Sequence, residues 1–410
     1  MKENSELIVG LDVGTTKVMA VIAEMGQEGK IDVAGVGWSL SEGLKRGMVV
    51  NLEKTVLSIK KAVAAAEQMA GVRVRSVFAG VSGEHVRSFN SRGVVAVTRS
   101  DREIRESEVL RVVEAARTIA IPYDREILHA LPQEFMVDDQ RGIADPLGMS
   151  GMRLEAEVHI VTGALTAIEN VTKAVDRAGW DVDGLVLSPL AASSAVLTEG
   201  EKELGVLLLD VGGGTTDLAL WYDGSVRMTS VIPLGGQQVT SDLAVGLRTT
   251  QLQAETIKVL SGCALADGVD DKEQVDVPDP SGGGKRAVRR QVVAAMIEPR
   301  LEEILALAKQ EAEKSRYFGL LGAGVVVTGG TANMEGFTSL CEQVFDLPVR
   351  AGVPRARGGV GDQVAMPEHA AGVGLLSYGY GTLRRTGTVE SRGGVGGLFR
   401  KVKSAIAGLV

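Results

Sequence analysis

Two aspartates, each followed by glycine and threonine, are the residues of this sequence best placed to do chemistry. Asp12 opens "DVGTTK" within the stretch Leu7 to Ile22, and Asp210 opens "DVGGGTT" within Val206 to Trp221. A turn built of Gly and Thr has little bulk, and glycine reaches the positive φ angles that aim successive N–H groups at one anion. Gly14, Thr15 and Thr16 therefore form one candidate phosphate clamp, and Gly212, Gly213, Gly214, Thr215 and Thr216 a second. Lys17 either adds positive charge to the first or points to solvent beside its strand. A carboxylate beside phosphates is repelled unless a cation lies between them. Asp12 and Asp210 are thus candidate ligands, direct or through water, for Mg²⁺, a cation that keeps most of its waters. Either aspartate alone would also serve to cap its own turn; its repetition in matching surroundings favours the metal.

A third turn of this kind lies in "VVVTGGTANMEGF", Val325 to Phe337, where a buried strand runs into Gly329, Gly330 and Thr331 and then a helix. Such a turn suits a backbone approaching a sugar and a flat base, and equally a plain strand-to-helix connection.

The elements that must position these turns follow from hydrophobic period. Residues 7–13, 17–23 and 31–37 read as strands, and Asn51 to Met69 as a helix with Leu52, Val56, Ile59 and Val63 on one face. "VRSVFAGV" returns as a strand. The second half repeats the order, with strands at Val206–Val211, Leu218–Tyr222 and Val226–Ile232, a "YDGS" hairpin turn, and a helix near Ser241. Two related α/β units facing each other are expected, with a ligand in the cleft between them. Between them lies a charged block, about Val81 to Gly163, containing Pro122, Pro132 and Pro146, which reads as a small α+β subdomain. A second, more helical insertion spans about Val239 to Gly319. Its Pro- and Gly-rich stretch Val275 to Gln291 marks an exposed loop or hairpin tip, and its "GGGK" lacks the spacing of a P-loop.

With 410 residues the chain exceeds a single core. The net charge of −8 argues against a general nucleic-acid binder. Cys263 and Cys341 have no metal-ligand spacing and read as reduced thiols, and the four histidines are scattered. No signal peptide and no run of membrane-spanning length is expected. The segment from Gly379 to Gly397 is polar and Gly-rich and reads as a flexible linker. After it, "GGLFRKVKSAIAGLV" gathers Leu398, Phe399, Val402, Ile406 and Leu409 on one helical side, with Arg400, Lys401 and Lys403 at the edges or opposite. A basic amphipathic helix of this kind lies in the headgroup plane of an anionic membrane.

The three glycine turns, in this order, resemble the nucleotide-binding signature of the actin, Hsp70 and sugar-kinase superfamily, a duplicated ribonuclease-H-like α/β fold whose two lobes hold ATP and Mg²⁺ in the cleft. Within it the chain resembles the FtsA division actins nearly end to end. The segments that carry the resemblance are "PQEFMVDDQRGIADPLGMSGMRLEAEVHIVTG" at 132–163, "VIPLGGQQVTSDLAVGL" at 231–247, "QAETIKVLSGCAL" at 253–265 and "VVVTGGTANMEGF". The resemblance implies subdomain 1A at 1–80 with 164–190 and about 350–380, and an inserted α+β subdomain 1C at 81–163. It implies 2A at 191–238 with about 311–349, 2B at 239–310, a linker at 380–395 and a membrane helix at 396–410. It makes Glu255 and Lys258 ribose or adenine contacts, and 187–197 and 367–379 the hinge segments.

It further implies a protein that polymerises on the cytoplasmic face of the inner membrane at the division site. There it tethers the tubulin-like ring protein FtsZ, whose C-terminal tail meets 2B, while 1C meets later division proteins. "IEPRLEEI" in 2B reads as an exposed helix start, with Arg300 and Glu303 as contact candidates beside the blander reading of a solvated face. One departure stands out. Many superfamily ATPases carry an acid or amide in the first hinge segment to orient the attacking water. Here that segment offers Ser188, Ser193 and Ser194. General-base help is worth roughly 10²–10⁴-fold, so nucleotide binding with slow or negligible hydrolysis is expected. A small-molecule kinase and a pilus-assembly actin homologue are the alternatives, and the amphipathic tail speaks against both.

Overall fold

The computed structural model describes residues 7–25, 31–279, 283–355 and 357–386. The first lobe opens with β1 (Leu7–Val13), β2 (Lys17–Met25) and β3 (Ile31–Leu40), followed by a small hairpin of β4 (Leu44–Lys45) and β5 (Met48–Val49). Helix α1 (Leu52–Ala70) starts where the Asn51 side chain accepts the Lys54 N–H and stops at Gly71, whose φ of 68° is the left-handed C-terminal signal. β6 (Ser76–Val81) then lies parallel to β1. The inserted block forms its own layer pair. β7 (Arg87–Ala96), β8 (Arg125–Val137), β9 (Gln140–Ile143) and β10 (Arg153–Ala164) make a four-stranded sheet in the order 7-10-8-9. Helix α2 (Glu106–Arg117) packs on it through Val112, Val113 and Ala116. Pro132 is tolerated inside β8 because the ladder slips there, between Glu157 and Val158 of β10. The chain returns to the first lobe through α3 (Leu165–Ala178) and β11 (Asp181–Leu187), and crosses to the second through α4 (Ser188–Val196) and α5 (Glu199–Leu204).

The second lobe repeats the first. β12 (Val206–Val211), β13 (Thr216–Tyr222) and β14 (Ser225–Ile232) form an antiparallel run. After α6 (Gly236–Gly246), α7 (Gln251–Ser261), the hairpin β15 (Gln274–Pro278) and β16 (Lys285–Arg289), and the long α8 (Arg290–Glu313), strand β17 (Val325–Thr328) returns parallel to β12. Helix α9 (Phe337–Phe345) and β18 (Val349–Ala351) follow, then β19 (Arg357–Gly359) and α10 (Ala370–Thr386) in the first lobe. The sheet orders are 11-6-1-2-3-19 and 14-13-12-17-18. Read from opposite ends, they share a five-stranded pattern of two parallel neighbours followed by an antiparallel hairpin and a third strand. The internal repeat is therefore one of topology as well as of motif.

One core joins the lobes. Ile8, Met19 and Val21 of the first sheet and Leu208, Ala219 and Trp221 of the second belong to a single cluster with Leu190 of α4 and Val373 and Leu376 of α10. Trp221 fixes the junction by donating its indole N–H to Ser193 Oγ at 3.0 Å. α4 and α10 thus form the floor from which both lobes rise.

Some expectations needed correction. The segment expected as a linker from residue 380 is helical as far as Thr386. It holds because Tyr378 lies edge-on to Phe78 and His129, and Tyr380 packs on the inter-lobe core. The rest of the linker and the amphipathic segment lie outside the described residues. The helix expected straight after Thr331 begins only at Phe337, after a short 3₁₀ turn at Gly330–Asn333. The stretch read as a helix start at Ile297 to Ile304 is the middle of α8.

Candidate functional site

The two glycine–threonine turns are built alike. In the first, the last strand pair is Val13 with Val18 and the Gly14 N–H donates to Lys17 O at 3.0 Å. In the second, the last pair is Val211 with Thr216 and the Gly212 N–H donates to Thr215 O at 2.9 Å. The closing bond uses the first amide of each turn and leaves out those of Thr15, Thr16, Gly213 and Gly214. By geometry Thr15 and Thr16 correspond to Gly213 and Gly214, and Lys17 to Thr215. The threonine pairs that look equivalent in sequence are thus offset by two positions in three dimensions.

The turns confront each other across the cleft. A Cβ at Gly213 would fall on the side chain of Thr16, and one at Gly214 would meet Thr15 Oγ1 at 2.5 Å. Glycine at these positions is therefore a requirement of the approach between lobes. Thr15 Oγ1 also accepts the Gly47 N–H at 3.0 Å, which ties the small β4–β5 hairpin over the first turn. Thr216 Oγ1 donates to Leu234 O at 2.9 Å, so this threonine braces the turn and does not face the cleft.

Lys17 does not point to solvent. Its Nζ donates to Glu368 O at 2.9 Å. Burial pushes its pKa down, opposed by the neighbouring charges of Asp12, Glu368 and Asp210. Asp12 is pushed up by burial, with Lys17 pulling it back. Asp210 is pushed well up by burial, then by Asp217 and Asp12. Asp217 is the residue that sequence reasoning missed. It lies opposite Asp210 in the β12–β13 ladder, and burial raises its carboxyl to about 7 despite a 2.6 Å bond from Ser82 Oγ of the first lobe. At the corresponding place in the first lobe, opposite Asp12, stands the apolar Met19. The repeat is thus chemically lopsided: Asp210 faces the charges of both Asp217 and Asp12, and Lys17 offsets Asp12 and Asp210 but not Asp217. Mutual repulsion of this kind is relieved when a cation enters. Among the described residues no group of three or more His, Cys, Asp or Glu side chains can hold a metal by itself. A hydrated Mg²⁺ that takes its ligands chiefly from water and phosphate fits such a site.

The third turn closes the constellation. Gly329 has a φ of +85°, and a side chain there would strike Asp210 Oδ1. Its N–H donates to Pro367 O at 3.2 Å, and Asn333 Nδ2 donates to Glu368 Oε2 at 2.7 Å, which binds this turn to the start of α10. On the α7 side, Lys258 Nζ donates to Glu255 Oε2 at 2.7 Å, to Thr240 Oγ1 at 2.9 Å and to Gly236 O at 3.1 Å. A Cβ built on Gly236 would lie 3.1 Å from Thr331 Oγ1 and 3.3 Å from Lys258 Nζ. Glu255, Lys258 and Thr331 therefore converge, while Gly236 and Gln237 donate to the carbonyls of Gly212 and Gly213. Of the hinge serines, Ser193 and Ser194 are spent on backbone carbonyls of their own helix. Only Ser188 lies near the acids, since a Cβ at Gly80 would sit 3.3 Å from both its Oγ and Asp12 Oδ1. Arg300 and Glu303 are remote from this group; Arg300 holds Asp242 with two bonds, at 2.6 and 3.3 Å, and also pairs with Glu303.

Paired strand–turn–strand units on either side of a hinged cleft, with an extra domain let into the first lobe, define an actin-like fold. Solved structures agree: a type IV pilus biogenesis PilM–PilN complex matches over 91% of this chain and 98% of its own with a TM-score of 0.66 at 19% identity. MreB5 of Spiroplasma citri bound to ADP matches over 93% and 97% with a TM-score of 0.54 at 14% identity. The families described as "SHS2 domain inserted in FTSA" and "Cell division protein FtsA" match residues 83–162 and 207–374. The cell division protein FtsA of Pseudomonas aeruginosa is 48% identical over 377 residues, covering 92% of this chain and 90% of its own. The chain belongs to the FtsA family of actin-like cell division proteins.

Proposed function

We propose that this protein binds ATP with Mg²⁺ between its lobes and, in that state, polymerises on the cytoplasmic face of the inner membrane at the division site. The amides of Thr15, Thr16, Gly213 and Gly214 together with Lys17 hold the phosphates. Asp12 and Asp210 receive the hydrated Mg²⁺, and Asp217 adds to the field that attracts it. Glu255 and Lys258 take the ribose or adenine edge, with Gly329, Gly330 and Thr331 against the nucleoside. The cation supplies charge neutralisation for the phosphates. Hydrolysis is slow, because the hinge segment offers only Ser188 near the acids. Of the further carboxylates, Asp217 is held by Ser82 and raised by burial to about 7, and Glu368 is held by Asn333. The observation that carries the reading is the confrontation of the two turns beside Lys17, Asp12 and Asp210.

The basic amphipathic segment with Leu398, Phe399, Arg400, Lys401, Val402, Lys403, Ile406 and Leu409 attaches the polymer to anionic lipid. One such helix binds weakly, and an array of them holds by avidity. The assembly tethers the FtsZ ring through 2B, with Arg300 and Glu303 at the rim of that surface, and meets later division proteins through 1C. Electron microscopy on anionic lipid monolayers tests this. Ordered filaments are expected with Mg²⁺-ATP and the intact chain, and none after truncation at Gly393. Filaments that form on lipid equally well without the tail overturn the attachment.

A further inference from the structure

A cavity of about 960 Å³ lies apart from the cleft between the glycine turns. It lies between the face of the inserted sheet, the outer strand β14 of the second lobe and the end of α8. Its polar floor explains why the two parts stay together. Strand β14 is an open edge, and the inserted sheet caps its carbonyls with side chains. Gln133 Nε2 donates to Val226 O at 2.6 Å, Ser88 Oγ to Thr229 O at 2.7 Å and Asn90 Nδ2 to Arg227 O at 3.5 Å. His159, kept neutral by burial, bridges Asn90 Oδ1 and Thr229 Oγ1.

Above this floor the charge is one-sided. Arg46, Arg87, Arg227, Lys314 and Arg316 line the cavity against a single carboxylate, Glu311. Three of these cations have carboxylate partners only at a distance: Glu84 is 3.6 Å from Arg46, Asp223 3.7 Å from Arg227 and Glu157 3.5 Å from Arg316. Arg227 is 4% exposed, and its Nη1 has no hydrogen-bond partner. Its Nε donates to Tyr222 O at 3.0 Å, so Nη1 remains as a donor for an incoming anion. Arg227 and Arg316 both lie 4.9 Å from the centre of the Tyr317 ring. Two like charges thus rest on one aromatic ring, and an anion that reaches both would relieve their repulsion. The remaining wall is apolar, with Phe89, Met228, Val231 and Leu307. A smaller cavity of about 290 Å³ shares Asn90 and Arg316, but it sets Glu134, Glu155 and Glu157 against Arg92 and Arg141, so the one-sided charge belongs to the larger cavity.

We propose that this crevice is a docking site for an extended acidic peptide of a partner protein, one that places carboxylates on Arg227, Arg316 and Lys314 and apolar side chains on the Phe89–Leu307 wall. The volume falls within the 300–1,000 Å³ usual for ligand sites and far exceeds one small anion. The alternation of basic and apolar lining suits a chain with two kinds of side chain. This protein's own segment 387–410 is a poor occupant, since it carries four basic residues and one acidic.

The test is a selection of random dodecapeptides on the immobilised full chain with Mg²⁺-ATP, followed by anisotropy on synthetic copies of the enriched sequences. Enrichment of Asp and Glu interspersed with apolar residues is expected. Affinity should fall at least tenfold in Lys314→Glu/Arg316→Glu, whose side chains are 63% and 67% exposed. Affinity should also fall with salt and be indifferent to excess ATP. The single variant Arg316→Gln guards against misfolding of the double one, and unchanged ATP affinity reports an intact fold in both. Enrichment of basic or purely apolar sequences, absence of enrichment, or affinity unmoved by both variants would overturn the proposal.

Discussion

Replacing Asp217 by Asn probes the cleft most sharply, because burial of its carboxyl gives the sign of the effect. The carboxyl titrates near 7 in the folded chain against a usual value of 3.8, with burial as the main cause. Between those two values the folded state holds a proton that the unfolded state has lost. Stability therefore falls as pH rises from about 4 to about 7, and the loss is complete above that. At ~1.4 kcal/mol per unit the shift amounts to at most roughly 4 kcal/mol. Asparagine keeps an oxygen for Ser82 and carries no charge. Asp217→Asn should therefore stabilise the ligand-free protein at pH 8 by about 1–4 kcal/mol, with the gain shrinking toward pH 4. Urea unfolding of both proteins across that range measures it. The same change should weaken Mg²⁺-ATP binding and remove the loss of affinity expected of the parent between pH 8 and pH 6. A variant less stable than its parent at pH 8, or a difference independent of pH, would refute the claim that burial raises the Asp217 carboxyl.

Two further perturbations address the turns and the nucleoside side. Gly213→Ala should cost about 1–3 kcal/mol through overpacking against Thr16; adding Thr16→Gly should recover part of it, and strict additivity in thermal unfolding would show that the turns do not touch. Lys258→Ala frees Gly236 O and Glu255, and should lower ATP affinity about 5- to 30-fold while a ribose-free polyphosphate binds as before; equal losses for both ligands would place Lys258 at the phosphates.

Much of this was legible in the sequence because it is local. A strand that runs into Asp-Gly and out into a second strand needs no partner to be recognised, so both turns and both hairpins could be read directly. What escaped is contact across the chain. Asp217 had a local sign, a charge at the head of the apolar run "LALW", but its importance comes from Ser82, 135 residues away. Glu368 became part of the site because Lys17, 351 residues earlier, reaches its carbonyl and Asn333 its carboxylate. The apparent pairing of Thr15 and Thr16 with Thr215 and Thr216 followed the letters, whereas strand register pairs them with Gly213 and Gly214. Arg300 looked exposed because its charge suggested a surface, yet Asp242 of α6 holds it with two bonds. The end of α10 looked like linker because glycine and polar residues dominate it, and tertiary packing of Tyr378 and Tyr380 overrides that composition.

The central claim is that one magnesium–nucleotide bridges the paired turns. Calorimetric titration of the intact chain with ATP, in magnesium and again in excess chelator, bears on it most directly. Saturable one-to-one heat with magnesium, and at least tenfold weaker binding without it, is the predicted result. No heat in either buffer, or identical affinity in both, would contradict it.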